Sequence, residues 1–438
     1  DYTPTEDDIL RKIEVGNVNM PLNSSLIQGA QSLFGVKTQF QFGKTTITGV
    51  FSELNSERNN VTAQGESTIQ DFNKFILDYD ENRHFFLAQY FRDRYDEALQ
   101  NYPFINSNVQ ITRIQVWVTN RNNNTQSVQN ARNIVALQDL GESSPENIGL
   151  FLNQDGEPTT PPVSNFINNL DALPDNSNND FNPEAISGPG STILTEAIRD
   201  ISSINQGFGP ASTSISEGVD YGKLENAREL TSNQYTLNKE LGYITLNQRL
   251  SNDEILGVAF QFTSNGQVFQ VGEFANDGVD ATQTTENPNN QQGQNGEEAD
   301  QIPLSQNLIV KMLKSPIVSV NEPSWDLMMK NFYSLDANQL EKEGFRLNIL
   351  YSDPQPVNFI TAAEGANKDL PVDIADSNLL QVFELDQLNI NNDPVQSGDG
   401  FFDFVDGITV DKQNGLIKFT KVEPFGKYLF NKLDNNPG

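Results

Sequence analysis

The chain has no cysteine and a single histidine. Without cysteine it cannot form disulfides, thiolate nucleophiles or cysteine-ligated zinc and iron–sulfur sites. With one histidine, a histidine-based metal site has only one such ligand to use. Long apolar runs are also missing, because none approaches the roughly 18 residues that a transmembrane helix needs. Any role in a membrane must therefore use β-strands.

Basic residues are scarce as well. Lys and Arg total 28 against 59 Asp and Glu, which gives a net charge of −31. This charge repels phosphate backbones and anionic lipid headgroups, so we expect no nucleic-acid partner and no binding to anionic membrane surfaces. The hydrophobic fraction of 36% is low and predicts large polar loops around modest cores. The 28 phenylalanines argue against a wholly disordered chain.

The clearest local signal lies in residues 241–274, which we interpret as a strand followed by a β-hairpin. Asn265-Gly266 is typical of a two-residue type I′ turn, because both residues accept a positive φ. Such a turn fixes the register, since a slip by one residue would turn the apolar side chains toward water. The predicted cross-strand pairs are Phe262 with Phe269 and Phe260 with Val271.

A second hairpin is predicted in residues 33–53, with Gly43-Lys44 as its turn. One face is nearly all polar and includes Gln39 and Gln41, and the other face is apolar. The apolar face carries Val36, Phe40, Phe42, Ile47 and Phe51. About nine alternating residues per strand fit a transmembrane β-barrel hairpin, but the signal from one such segment is weak. The pattern alone therefore favours a half-buried hairpin on a soluble core.

Further elements follow from periodicity and turn residues. A helix is predicted at 80–100 from the spacing of Leu87, Phe91 and Tyr95. A helix with Pro323 in its first turn is predicted in the last third of the chain, because the missing N–H does no harm there. Strands are predicted at 109–119, 307–313 and 345–351, and a hairpin at 408–419.

An internal repeat suggests how these elements are organised. Residues 235–246 match residues 408–419 at a constant offset of 173 positions. We therefore predict an α+β fold of two related α/β modules with mainly antiparallel sheets. The predicted domains are β-barrel-type strands at 1–66, a first module at 67–275 with an insertion at 143–190, a low-complexity loop at 276–300, and a second module at 301–438.

Few motifs in the sequence indicate a catalytic or metal-binding site. We interpret His84 as a surface or capping histidine in the first turn of the helix at 80–100, because the sequence indicates no Ser and Asp that converge on it. Asp393, Asp399 and Asp403 lie in the acidic loop 391–406 and could hold calcium, but their spacing does not match an EF-hand and a plain turn is the favoured interpretation. Paired carboxylates of the glycosidase type are uninformative in a chain with 59 acidic residues.

Several long segments resemble a known family, among them DENRHFFLAQYFRDRYDEAL at 80–99. The matching segments, in order, are 16–44, 80–99, 112–142, 235–274, 311–335 and 399–426. They are similar to the SprA/Sov family, the outer-membrane translocons of the type IX secretion system of Bacteroidota. Members are several times longer than this chain, which starts at Asp1. We therefore expect a processed chain or a fragment.

This resemblance implies a protein-conducting channel at the bacterial outer membrane and cell surface, tied to gliding motility in some members. It implies secreted cargo proteins, plug and receptor-type subunits and outer-membrane lipid as partners, with no cofactor and no catalytic residue. It also makes a hairpin of a large transmembrane β-barrel the better interpretation of residues 33–53. Val36, Phe40, Phe42, Ile47 and Phe51 then become candidates for facing lipid.

Three functions remain as hypotheses. The first is a non-enzymatic segment of a secretion translocon. The second is a cell-surface binding or adhesion module, stabilised by calcium if the acidic loop binds it. The third, which has the least support, is a carboxylate-dependent glycoside hydrolase.

Overall fold

The computed structural model describes residues 9–19, 32–43, 45–52, 62–63, 68–121, 131–142, 173–178, 181–186, 192–213, 215–276, 283–286, 301–304, 306–320, 322–351, 356–361, 370–371, 374–375, 377–395 and 398–433. They fall into two compact units, Asp1–Asn73 and Lys74–Gly438. The secondary structure is mainly β-sheet with few helices, which confirms the α+β class. None of the helices in these ranges is long and apolar enough to cross a membrane.

The first unit contains an antiparallel sheet in which β2 lies between β1 and β3. The strands of this unit are β1 (Leu10–Asn19), β2 (Ser32–Phe42), β3 (Thr45–Ser52), β4 (Thr62–Ala63) and β5 (Thr68–Ile69). Phe40 pairs with Ile47, and Gln39 pairs with Thr48. Gly43 has a φ of +60°, as a tight hairpin turn requires. The register predicted for the hairpin is thus confirmed.

The second unit is built around a closed five-stranded barrel. Its strands are β7 (Val109–Val118), β8 (Arg132–Leu137), β9 (Tyr221–Glu229), β12 (Leu256–Ser264) and β16 (Leu308–Lys314). Around the barrel, β12 pairs with β16, β16 with β8, β8 with β9, β9 with β7, and β7 with β12. The β16–β8 pair is parallel. Since β16 comes from the predicted second module, both predicted modules contribute strands to one barrel.

Two faces of the barrel strands pack into separate cores. The interior holds Trp117, Ile134, Ala136, Leu224, Ala227, Ile255, Ala259, Phe274, Leu308, Val310 and Met312. Small residues are needed among them, because a barrel of few strands has little space inside. A Cβ atom on Gly257 would lie 2.7 Å from Val310 Cγ2. The alternate residues point outward and join a larger core that also contains the helix α1 (Gln89–Ala98).

The hairpin of β12 and β13 (Gln267–Val271) extends from this barrel. Phe262 pairs with Phe269 and Phe260 with Val271, as the Asn265-Gly266 turn predicts. The φ values of the two turn residues are +50° and +80°. The predicted register of this hairpin is also confirmed.

Two three-stranded sheets pack beside the barrel. The first contains β10 (Tyr235–Asn238), β11 (Tyr243–Leu246) and β6 (His84–Phe86), and the second contains β18 (Val410–Asp411), β19 (Leu416–Lys418) and β17 (Phe332–Ser334). In each sheet the strand named second is central. Leu237 pairs with Ile244 in the first sheet, and Val410 pairs with Ile417 in the second. The repeat of 173 residues therefore extends to strand pairing.

The remaining elements are short. The helices are α2 (Ile204–Gly207), α3 (Pro323–Leu327), α4 (Leu379–Val382) and α5 (Leu429–Lys432), with a π-helical turn at Pro424–Tyr428. The 3-10 turns are Asn176–Asn178, Pro183–Ala185, Glu196–Arg199 and Gly209–Thr213. Strands β14 (Gln283–Glu286) and β15 (Gln301–Leu304) pair with each other.

Two predicted elements differ from the structure. The helix predicted at 80–100 begins only at Gln89, because His84–Phe86 forms a strand that pairs with β11. Both faces of this strand are buried, and tertiary pairing there outweighs the helical spacing. Residues 345–350 are not a strand, and no β-strand of the described residues pairs with them.

The tight barrel interior gives a testable prediction. Replacing Ala259, which is completely buried there, by leucine should overpack the interior and lower the free energy of unfolding by about 1–3 kcal/mol. Val268→Leu on the neighbouring strand β13 is the control, because Val268 is 60% exposed. Urea denaturation at neutral pH measures both variants. Equal stability of the two variants would contradict a filled interior.

Candidate functional site

The first candidate site is the sheet of the first unit, whose residues form alternating apolar and polar rows. Phe40 pairs with Leu10 on one side and with Ile47 on the other, so an apolar row crosses all three strands. Four positions along β2, Val36 pairs with Val15 and Phe51. The sequence analysis missed this contribution of β1, although the alternation of Ile13 and Val15 was a signal for it.

The polar rows lie between these apolar rows. Gln39 pairs with Thr48, and Gln41 pairs with Thr46. The Gln41 side chain donates to the carbonyl of Gly43 at 3.0 Å, which supports the turn. Side chains of neighbouring rows point to opposite faces of a sheet. The sheet therefore separates largely apolar rows from polar rows, which also include Lys12 opposite Gln39 and Glu14 opposite Lys37.

The lipid-facing candidates occupy the apolar rows of this sheet. Phe42 and Ile47 are each 53% exposed, and Phe40 is half-buried. The backbone register places Val36 and Phe51 in the same set of rows. Fully burying an aliphatic or aromatic side chain stabilises by about 1.5–3 kcal/mol. An apolar environment over this face would therefore stabilise the sheet.

The acidic loop is organised by backbone contacts. Asp403 Oδ2 accepts hydrogen bonds from the amides of Gln387 and Leu388 and from the Tyr102 hydroxyl, the last at 2.8 Å. Burial raises the pKa of Asp403 to about 6, although these hydrogen bonds act in the opposite direction. Asp386, which the sequence analysis did not single out, accepts from the amides at 399 and 400.

The calcium candidates are not brought together as a ligand set. Asp399 accepts from the amide of Phe401 at 3.1 Å, and the amide of Asp393 donates to Asn389 Oδ1 at 3.0 Å. No group of three or more His, Asp or Glu residues in the described part of the chain has the arrangement of a metal site. Calcium binding by this loop stays a prediction from the sequence.

The interpretation of His84 as a surface residue is wrong. Its side chain is completely buried in β6, where its ring lies 4.7 Å from the ring of Phe332. Nδ1 lies 2.9 Å from Thr245 Oγ1, and Nε2 lies 3.1 Å from Asp80 Oδ2. A carboxylate can only accept, so Nε2–H donates to Asp80 and Nδ1 accepts from the Thr245 hydroxyl.

This Thr–His–Asp network holds several elements together. The amide of Met329 donates to the carbonyl of His84, and the amide of Asp80 donates to the carbonyl of Phe332. Thr245 lies on β11 and is 7% exposed. The sequence indicated no Ser and Asp that converge on His84. Asp80 is only four residues away, but the hydroxyl partner, Thr245, is 161 residues away in the chain. The burial of all three side chains favours a structural role.

Burial keeps His84 neutral, and the surrounding hydrogen bonds and charges keep Asp80 ionised. Burial lowers the pKa of His84, and the neighbouring Asp80 opposes this shift. Burial raises the pKa of Asp80, but hydrogen bonds from His84 and Arg249 and the charge of Arg83 outweigh it and lower the pKa to about 2. Arg83 and Arg249 each bind Asp80 at 2.9 Å.

A second buried charge pair anchors helix α1 on the barrel. Lys311 Nζ on β16 lies 2.9 Å from Glu142 Oε1. The same carboxylate oxygen accepts from the amide of Gln89, the first residue of α1, at 3.2 Å. A carboxylate at this position satisfies a free amide and favours the helix dipole. No sequence pattern indicates that these residues meet.

The chain matches a family model described as motility related/secretion protein, SprA_N, over residues 1–250. This range includes the sheet of the first unit and the elements from β6 to β11. No curated protein matches the chain.

The His84 network predicts a specific loss of stability in acid. An unfolded histidine titrates near pH 6.5, whereas folded His84 has a lower pKa. Between these two values the unfolded state binds more protons, so stability falls as pH decreases below about 6.5. The contribution of His84 should reach about 1.4 kcal/mol for each pH unit of this window.

The wild-type chain and a His84→Gln variant are compared by urea denaturation from pH 7.5 to 4.5. The difference between the two stability curves isolates the contribution of His84. Asp403, whose pKa is raised, makes both proteins more stable in acid, so its contribution cancels. The slope between pH 6.5 and 5 should be steeper for the wild type. Parallel curves would show that His84 titrates normally in the folded state.

Proposed function

Because the chain belongs to the SprA_N family, described as motility related/secretion protein, we propose that it is a non-enzymatic segment of an outer-membrane protein-conducting translocon. The secretion route is that of the type IX system, with a link to gliding motility. The observation that carries this proposal is the three-stranded sheet of residues 10–52, in which largely apolar rows alternate with largely polar rows.

The dimensions of the sheet support a place in the bilayer. A tilted transmembrane β-strand needs about 9–11 residues. β1 has 10 residues, β2 has 11 and β3 has 8. In the proposed arrangement Phe40, Phe42 and Ile47 face lipid, with Val36 and Phe51 in the adjoining rows.

The outer strands of this sheet support a larger assembly. Among the described residues, β1 and β3 each pair only with β2. Unpaired backbone groups cannot face lipid, because each one costs on the order of several kcal/mol in a medium without water. We therefore propose that further strands continue the sheet on both sides to form a closed wall.

The polar rows then face the conduit. Gln39 and Gln41 on β2 and the threonines paired with them carry uncharged hydroxyls and amides, and Lys12 lies opposite Gln39 on β1. Such groups hydrogen-bond water, as the wall of an aqueous conduit requires. Secreted cargo proteins, plug and receptor-type subunits and outer-membrane lipid are the partners that this proposal requires.

The proposal predicts that charge is tolerated on one face of the sheet and not on the other. A full-length gene carrying Phe40→Lys with Ile47→Lys places an opposed lysine pair on the apolar face. Such a substitution costs about 2–4 kcal/mol per lysine at the bilayer midplane. We expect the level of protein in the outer membrane and the secretion of type IX cargo to fall together.

The matched control is Gln41→Lys with Thr46→Lys, which places the same opposed pair on the polar face and avoids Lys12, the partner of Gln39 on β1. Cross-strand repulsion and net charge are then equal in the two variants. Membrane fractionation and a secreted reporter measure the outcome. If both variants secrete like the wild type, or both fail equally, the apolar face does not contact lipid.

A further inference from the structure

The turn that follows β8 places acidic side chains in a buried site. Glu142 is buried there, and Asp139 is completely buried. The amide of Glu142 donates to the carbonyl of Asp139, which closes the turn. On the neighbouring strand β16, Lys311 is 1% exposed, and its Nζ lies 2.9 Å from Glu142 Oε1. An amine and a carboxylate are thus held together away from water.

Burial makes the two charges of this pair costly. Removing an ammonium and a carboxylate from water carries a desolvation penalty that their mutual attraction can fail to offset. Lys421 and Glu384 form a second close pair, but the Glu384 side chain is 24% exposed, against 6% for Glu142. A reaction that removes both charges is therefore more strongly favoured at Lys311 and Glu142.

The hydrogen bonds around this pair also fit a neutral product. Lys311 Nζ donates to the carbonyl of Gln138, and Glu142 Oε1 accepts from the amide of Gln89 at 3.2 Å. An amide link between Nζ and Cδ of Glu142 keeps one N–H for the first partner and one carbonyl oxygen for the second. Both buried polar atoms of the link are then satisfied without any further group.

We propose that Lys311 and Glu142 condense in the folded chain to form an intramolecular amide bond. Lys311 Nζ attacks Cδ of Glu142, the N–C bond forms, and the bond from Cδ to Oε2 breaks. Two of the three ammonium protons leave with Oε2 as water, and the third stays on the amide nitrogen. Atoms and charge balance without an oxidant or a second substrate.

The positions of the reacting groups promote this step. Groups that a fold holds in contact and in the right orientation react as if at about 10⁵–10⁸ M. The amide of Gln89, the first residue of α1, binds Oε1, which gains negative charge during the attack on Cδ. A fixed backbone N–H at this place stabilises the tetrahedral intermediate as an oxyanion-hole donor does.

Asp139 adds an acid to the same turn. Burial raises the pKa of its carboxyl well above the usual value, and the charge of Glu142 reinforces this shift whereas that of Lys311 opposes it. A carboxyl that keeps its proton at neutral pH can pass protons from the amine to the leaving oxygen. The turn therefore supplies both the acyl group and a group suited to proton transfer.

The amide bond joins two strands that close the barrel. Lys311 pairs with Leu137 in the parallel β16–β8 pair, and Glu142 lies in the turn directly after β8. The chain has no cysteine, so a disulfide cannot form this link. An amide between side chains is a covalent link that the composition allows, and reducing conditions do not break it.

Intact-mass spectrometry of the denatured full chain tests the bond. The wild-type chain should be lighter than its sequence requires by one water molecule, and peptide mapping should join the fragments that contain Glu142 and Lys311. Glu142→Gln should lose one ammonia molecule instead, because the side-chain nitrogen is then the leaving group. Lys311→Arg keeps the positive charge but has no amine, so it should have the full mass of its sequence.

Two controls exclude other losses of water. Lys421→Arg removes the second close pair and should still be lighter by one water molecule. Hydroxylamine opens the imides that form at Asp-Gly sequences such as Asp399-Gly400, but it leaves an amide of lysine intact. A wild-type chain that is folded by circular dichroism and has its full mass overturns the proposal. A loss of water that persists in Lys311→Arg, or that hydroxylamine reverses, overturns it as well.

Discussion

Closure of the five-stranded barrel is the constraint on which the second unit depends. A barrel this narrow can be filled only if small residues alternate with large ones, and Gly257, Ala136 and Ala259 supply the small ones around Trp117 and Met312. Closure also presents a continuous outer face on which α1 packs. The strand β16 completes the ring in parallel with β8. The part of the chain after residue 300 is thereby joined by strand pairing to the part before residue 275.

Turn chemistry explains which parts of this fold the sequence predicts. Asn265-Gly266 and Gly43 fix the registers of two hairpins, because positive φ and strict alternation are local properties. The pairing of β16 with β8 joins residues more than 170 positions apart and leaves no local signal. The aromatic spacing at 80–100 was misleading, because His84–Phe86 has helical spacing but is buried on both faces as a strand.

In the candidate site, too, the local patterns could be predicted from the sequence and the contacts between distant residues could not. The apolar and polar rows of residues 33–53 follow from alternation, whereas the contribution of β1 depends on a bulge between Leu10 and Lys12 that no pattern indicates. The environment of His84 depends on Thr245 and on Asp80, whose charge is balanced by Arg249. Convergence of such distant residues is a property of the barrel and its flanking sheets. Composition and residue spacing do not predict this convergence.

Exposed strands constrain how this chain can exist in a cell. Long unpaired strands with apolar side chains are sites of edge-to-edge aggregation, and natural proteins cover or interrupt them. Here β1 and β3 each pair only with β2 among the described residues. A net charge of −31 opposes association between copies of the chain, but it does not satisfy the backbone groups of an open edge. Pairing with strands from outside the described residues would both cover the apolar side chains and satisfy the backbone groups of the edges. The open edges are therefore best understood as sites of assembly.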